Sequence, residues 1–311
     1  MLRFTIRRVL QIIPTIVVVA LLIFVIFSVV PGSFATSLLS DGKTAPDPQL
    51  MARLNEQLGL DKPVHQRFIT YVGDLAQLDL GTSFRTRRPV LELINERIWA
   101  SLQLAVAAMI FAVVVAVPLG FLAALRPGSI LDTVTMVGAV SGLSLPQFWL
   151  GLLLMYVFAL QLNWLPSFGY GDGSLRNLIL PAITLGVTPL ALLARTTRAG
   201  VLDVLNGDFV RTAHAKGLSE AQVVRRHVAR NALVLIITTV GLLFGSLIGQ
   251  AVVIEKLFAW PGIGSLLVDS VAMRDIPVVQ GTILVIVVWF LVINTAVDIV
   301  YALVDPRIKQ E

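Results

Sequence analysis

The chain has 311 residues, 56% of them hydrophobic and 14% charged, with a formal net charge of +5 and a mean hydropathy of +0.85. That much apolar surface is more than a soluble globule can bury, so an ordinary soluble domain is excluded. With no cysteine, a disulfide framework and a thiolate metal site are excluded as well.

Runs of about 18 or more nearly uncharged residues can cross a hydrocarbon core of about 30 Å as helices. Six such runs lie at about 9 to 30, 100 to 125, 133 to 160, 178 to 194, 231 to 254 and 278 to 303. They are continuous rather than alternating, and lipid requires every backbone polar group to be satisfied internally, so helices are expected and barrel strands are not. The predicted fold class is an all-α membrane protein with six transmembrane helices, a small extracytoplasmic insertion between the first two, and a cytoplasmic loop between the fourth and fifth.

Residues 1–30 form the N-terminus and first span, with Arg3, Arg7 and Arg8 ahead of it. A cleaved signal peptide with a Ser33-x-Ala35 site is the rival reading, but an apolar core of about 22 residues exceeds the usual 7 to 15, which favours a retained span. Residues 31–99 carry eight Lys or Arg offset by eight Asp or Glu, and loops longer than about 60 residues are translocated largely regardless of charge. They are expected outside, with a short helix in "PDPQLMARLNEQLGL" closed by Gly59. "DGKTAP" ends like a phosphate loop, but Ser37 stands where that loop needs its first glycine.

The remaining residues, 100–311, form a five-helix core. In "SGLSLPQFWLG", Pro146 removes a backbone donor and predicts a kink in span three. Ser144 and Gln147 then either face a polar pathway or stabilise the kink. Arg126, the loop at 195–230 with Arg195, Arg198, Arg211, Lys216, Arg225, Arg226 and Arg230, and the tail with Arg307 and Lys309 concentrate positive charge on one side. The positive-inside rule makes that side cytoplasmic, with both termini there, and the distribution points to topology rather than to nucleic acid.

Within "DFVRTAHAKGLSEAQVVRRH", Asp208 is the expected N-cap of a helix over 209–216, Lys216 complements its dipole, and Gly217 supplies a left-handed stop. Ser219 and Gln222 form a capping box, with Leu218 and Val223 as a hydrophobic staple, for a second helix leading into span five. Phe209 and Ala213 share one face, continued by Gly217, which fits a helix that docks in a groove on another protein, while Arg211 and Lys216 suit acidic partners. Arg225, Arg226 and Arg230 fit a helix lying on lipid headgroups.

Gly241, Gly245 and Gly249 in span five recur every fourth residue with Ser246 beside Gly245, a stripe for close helix packing within the bundle or against a second subunit. Asp298, near Asn294 and Tyr301 in span six, suits packing, interfacial hydrogen bonding or transport. His65, His214 and His227 lack metal-ligand spacing. No convergent set of intramembrane polar residues suggests an enzyme, so a self-sufficient carrier or channel is the alternative to a transporter subunit.

"FVRTAHAKGLSEAQVVRRHVARNAL" resembles the cytoplasmic signature of membrane subunits of binding-protein-dependent ABC importers, in the branch for dipeptides, oligopeptides, glutathione and nickel. The resemblance continues through "RRVLQIIPT", "QLGLDKPVHQRFITYVGDLAQLDLGTSF", "LPQFWLGLLL", "NWLPSFGYG", "LILPAITLG", "VVIEKLFAWPGIGSLLVDSVAMRDIPVVQG" and "VDIVYALVDPRI". It implies a non-catalytic permease subunit without a cofactor of its own. The implied partners are a second homologous permease, two ABC ATPases that bind ATP and Mg, an extracytoplasmic solute-binding protein and the bilayer of the inner membrane. It also implies that Asp208, Phe209, Arg211, Thr212, Ala213, Lys216 and Gly217 belong to the helix that couples to the ATPase. Three positions depart from the branch: His214 replaces a usual arginine, Leu235 a usual proline, and "GQA" at 249–251 a more glycine-rich turn. The substrate stays open.

Overall fold

The computed structural model describes residues 2–29 and 62–304. The helix expected in 46–60, the phosphate-loop-like 42–44, Arg307 and Lys309 lie outside the described residues. Long helices dominate: α1 (Leu2–Val29), α2 (Val64–Ala76), α3 (Val90–Leu125), α4 (Ile130–Ser144) and α5 (Gln147–Leu154), which continues as a π-helical turn over Met155–Gln161. They are followed by α6 (Leu175–Leu205), α7 (Asp208–Ala215), α8 (Glu220–Val223), α9 (Ala229–Leu257), α10 (Ile263–Ala272) and α11 (Ile276–Val304). A π-helical turn over Val224–Val228 joins α8 to α9.

Among the described residues, five stretches are long and apolar enough to cross a membrane: Leu10–Ser28, Val90–Leu125, Leu175–Leu205, Glu220–Leu257 and Ile276–Ile299. The predicted third span is instead a pair, Ile130–Ser144 and Gln147–Gln161, bent by 106°. Pro146 therefore precedes a new helix and does not kink a continuous one. Its ring disfavours the helical conformation at the preceding residue, and Leu145 is extended at φ −83°, ψ 131°.

Two other boundaries move for local reasons. Helix α3 starts at Val90, well before the apolar run, as a polar foot in which Arg88 bridges Glu92 at 2.7 Å and also Glu96. Helix α6 runs past the apolar stretch to Leu205, because "ARTTRAGVLDVL" contains no proline and a single glycine before Asn206-Gly207.

The core forms where α3 lies against α6. Ala105, Ala108, Ala112 and Ala116 of α3 are fully buried, and glycines on both helices let the backbones meet. A Cβ on Gly186 would fall 2.7 Å from Ala108 O, and one on Gly120 2.5 Å from Ala194 O. In lipid, where no hydrophobic drive holds helices together, such close packing is the source of cohesion.

Polar contacts tie each end of the bundle. At one end, Gly169 N–H donates to Phe258 O at 2.8 Å, Trp260 Nε1 to Ala100 O at 2.8 Å, and Ser83 Oγ to Asp275 at 2.6 Å. Helix α2 packs there on α1, with Phe68 and Tyr71 rings 5.3 and 5.9 Å from Phe24. Burial pushes the Tyr71 phenol up to about 12. At the opposite end, Gly128 N–H donates to Asp132 at 3.0 Å, Arg198 Nη2 donates to Asp132 at 2.8 Å, and Arg8 pairs with Asp298 at 3.0 Å.

Candidate functional site

The loop between α6 and α9 is a folded unit. Gly207, at φ −70° and ψ 144°, takes the N-cap position, and Asp208 becomes the first helical residue. This corrects the expected Asp208 cap: the carboxylate is 98% exposed, near the helix N-terminus where negative charge is favoured, and caps nothing. Thr212 Oγ1 donates to Asp208 O at 3.0 Å.

Helix α7 ends as expected at Gly217, whose φ of +79° is left-handed. Gly217 N–H donates to His214 O at 2.9 Å and Leu218 N–H to Ala213 O at 3.3 Å, the paired bonds of a Schellman stop. Leu218 then packs against the same buried cluster as Val223, and Ser219 N–H donates to Gln222 Oε1 at 3.2 Å, so α8 begins immediately.

The expected shared face of Phe209, Ala213 and Gly217 is divided. Val210 and Ala213, three residues apart, are 3% and 4% exposed in a cluster with Val201, Val223, Val228 and Ala232. Phe209 remains 45% exposed with its ring against Gly207, and Arg211, Thr212, His214, Lys216 and Gly217 are exposed. Ala213 therefore anchors α7 to the bundle, and the outward surface consists of Phe209 with its polar neighbours. Arg225, Arg226 and Arg230 are exposed on the following turns. Leu235 lies inside continuous α9, where its side chain would meet a Cβ on Gly200 at 2.5 Å.

In the membrane region, Ser144 Oγ donates back to Val140 O at 2.9 Å, within its own helix. Gln147 reaches across helices: its Nε2 donates to Thr188 Oγ1 at 2.9 Å and to Gln250 Oε1 at 3.4 Å, while Gln250 Nε2 donates to Ser246 Oγ at 3.0 Å. Of the glycine stripe, Gly241 lies against Val297 and Gly245 against Asn294, both on α11, whereas a Cβ on Gly249 would meet nothing within 4 Å. Asp298 pairs with Arg8 of α1.

Several polar residues here carry no local sequence signal. Glu255, 1% exposed, accepts from Ser101 Oγ at 2.6 Å and from Ser265 N–H at 2.9 Å, while Ile263 N–H donates to Ser101 Oγ at 2.8 Å. A lone acid at the end of span five is visible in the sequence, but its partner is not. Thr188 was equally unmarked until Gln147 joined it. Among the described residues, no group of three or more His, Cys, Asp or Glu is placed to hold a metal ion.

Residues 116–310 match the family described as binding-protein-dependent transport system inner membrane component, and residues 1–105 match its N-terminal membrane component. The chain belongs to this family. It is accordingly a permease subunit of an ABC importer, a multi-pass inner-membrane protein that is not itself the ATP-hydrolysing subunit. Glutathione transport system permease protein GsiC of Salmonella typhi is 44% identical over 309 residues, covering 99% of each chain. The protein of that name from Escherichia coli strain K12 is 43% identical over the same length, again covering 99% of both.

Among solved structures, an inward-facing MetNI methionine ABC transporter superposes with a TM-score of 0.56 at 20% identity, over 69% of this chain and 97% of that one. An amino acid ABC transporter with histidines gives 0.56 at 14% identity, over 68% and 94%. At those identities the likeness concerns the fold. The α6–α9 loop leaves Phe209, Arg211 and Lys216 exposed.

Proposed function

We propose that this permease imports a small peptide, glutathione or a near relative, by alternating access, in a complex with a second homologous permease, two ATPases and an extracytoplasmic binding protein. ATP and Mg would be held by the ATPases. The glutathione permeases that match end to end support the solute class. Six crossings, with both termini and α7 on the cytoplasmic side, fit the grouping of Arg8, Asp298, Asp132 and Arg198 at one end.

The observation that carries the coupling role is the construction of α7. Its inner face, Val210 and Ala213, is buried in one cluster with Val201 of α6 and Ala232 of α9, while Phe209, Arg211 and Lys216 remain outside. A push on the outer face is thereby transmitted as rigid movement to two spans, whose rocking exposes the pathway alternately to each side. Phe209 is the hydrophobic anchor for a groove on the ATPase, and Arg211 and Lys216 are its charged rim.

Reconstitution of the complete complex tests this. Phe209→Ala with Arg211→Glu is expected to lower ATP-driven glutathione uptake by more than tenfold and to weaken co-purification of the ATPases, while membrane insertion is unchanged. Normal uptake by the double variant would refute the coupling role. Ala213 is unsuitable for this purpose, since its burial makes any larger residue disruptive on structural grounds alone.

A further inference from the structure

Gln147, Thr188, Ser246 and Gln250 form an uncharged polar row where α5, α6 and α9 meet. Thr188 is 13 residues inside α6 and Gln250 seven residues before the end of α9, which at 1.5 Å per residue sets them about 20 and 10 Å in from the helix ends. None of the four is fully buried, and Leu145, Pro146, Phe148 and Gly249 beside them are exposed.

Their hydrogen-bonding capacity is only partly used. Among the described residues, Gln147 Oε1 accepts no bond and the Thr188 hydroxyl donates none. The break at Pro146 adds backbone donors: Leu150 N–H is the first of α5 to find an acceptor, Pro146 O at 3.1 Å, so the N–H groups of Gln147, Phe148 and Trp149 have no partner in the helix. Hydrocarbon would leave all of these unsatisfied, which is unfavourable at membrane depth. A polar surface of this kind belongs against a water-filled cavity or a solute, as at broken helices in other transporters.

We infer that Gln147, Thr188 and Gln250 form a solute-contact station on the translocation pathway, one that hydrogen-bonds the peptide groups of the cargo. The chemistry selects that class: a primary amide presents both a donor and an acceptor, the complement of a peptide bond, and the station offers no charge to pair with a carboxylate or an amine. This rests on the importer reading above and adds where, within the membrane, the cargo is held.

The test uses the complete complex with radiolabelled glutathione and, separately, the dipeptide Ala-Ala. Gln147→Leu with Gln250→Leu is expected to reduce uptake of at least one probe about tenfold, the effect of losing one or two neutral hydrogen bonds. ATP hydrolysis stimulated by the binding protein should persist, and the single variant Gln250→Asn, which keeps an amide, should be less impaired than Gln250→Leu. Unchanged uptake by the double variant would overturn the station, assigning these amides no contact with cargo. Reduced co-purification of the second permease would also overturn it, making the row a subunit seam. If the unaltered complex imports neither probe, the solute reading fails and the station falls with it.

Discussion

Glu255 shows how one residue can hold together parts of the chain that are far apart in sequence. Its carboxylate accepts from Ser101 on α3 and from the Ser265 backbone at the start of α10, and a Cβ on Gly262 would come within 2.1 Å of it. The acid thus fills a small enclosure lined by donors. Glu255→Leu would strand those donors and is expected to destabilise the protein by about 2–3 kcal/mol, with Glu255→Gln, which retains one acceptor oxygen, milder. The fraction of detergent-purified protein that stays monodisperse after heating measures this, and equal midpoints for all three proteins would sink the account. Gly217 is the opposite kind of residue. Its left-handed turn could be placed from neighbours alone, because a helix stop is written within a few residues. Ser101, 154 residues from Glu255, could not be found that way.

At the scale of elements, the membrane helices were legible because hydropathy measures length, and their paths were not because hydropathy carries no direction. Residues 133–160 supply apolar length for one span, yet the chain turns through 106° within them. Pro146 marked the place but could not set the angle. Helix α7 was legible as a helix with a stop, while its inner face depended on what α6 and α9 presented to it, so Ala213 lies beneath the surface on which the sequence had set it. The α3–α6 contact had no signal beyond small residues, and it makes a sharp prediction. Gly186→Val would drive a side chain into Ala108 O and the Phe111 ring, which lie 2.7 and 2.8 Å from the position of a Cβ. An overpacking cost of about 1–3 kcal/mol is expected, seen as lower folded yield and a lower melting midpoint in detergent. Gly138→Ala is the control: nothing lies within 4 Å of that position, so its midpoint should hold or rise slightly. A Gly186→Val protein that melts with the control would show that the two backbones are not held in contact.

For the whole molecule, the bent pair decides the topology. If α4 and α5 together formed a re-entrant loop, the segments before and after them would lie on the same side and the crossings would number five. Hydrogen bonds separate the two segments. Gly128 and Asp132 are tied to Arg198, late in α6, whereas Gly169 is tied to Phe258 at the end of α9 and Arg176 donates to Trp164 O at the start of α6. The two segments are thus tied near opposite ends of α6, an arrangement that a pair crossing the bundle would give. The Arg8–Asp298 ion pair joins the beginning of the first helix to the end of the last, as an even number of crossings would. Because the chain contains no cysteine, single substitutions can map this directly. In intact cells whose outer membrane has been opened, a membrane-impermeant maleimide should label Asp172→Cys but not Ser129→Cys or Asp208→Cys, and the latter two should react once the inner membrane is breached. Labelling of Ser129→Cys together with Asp172→Cys from outside would make α4 and α5 a re-entrant hairpin. It would also set α7 on the wrong side for an ATPase, because Asp132 and Arg198 fix the Ser129 turn to the same end of α6 from which α7 emerges.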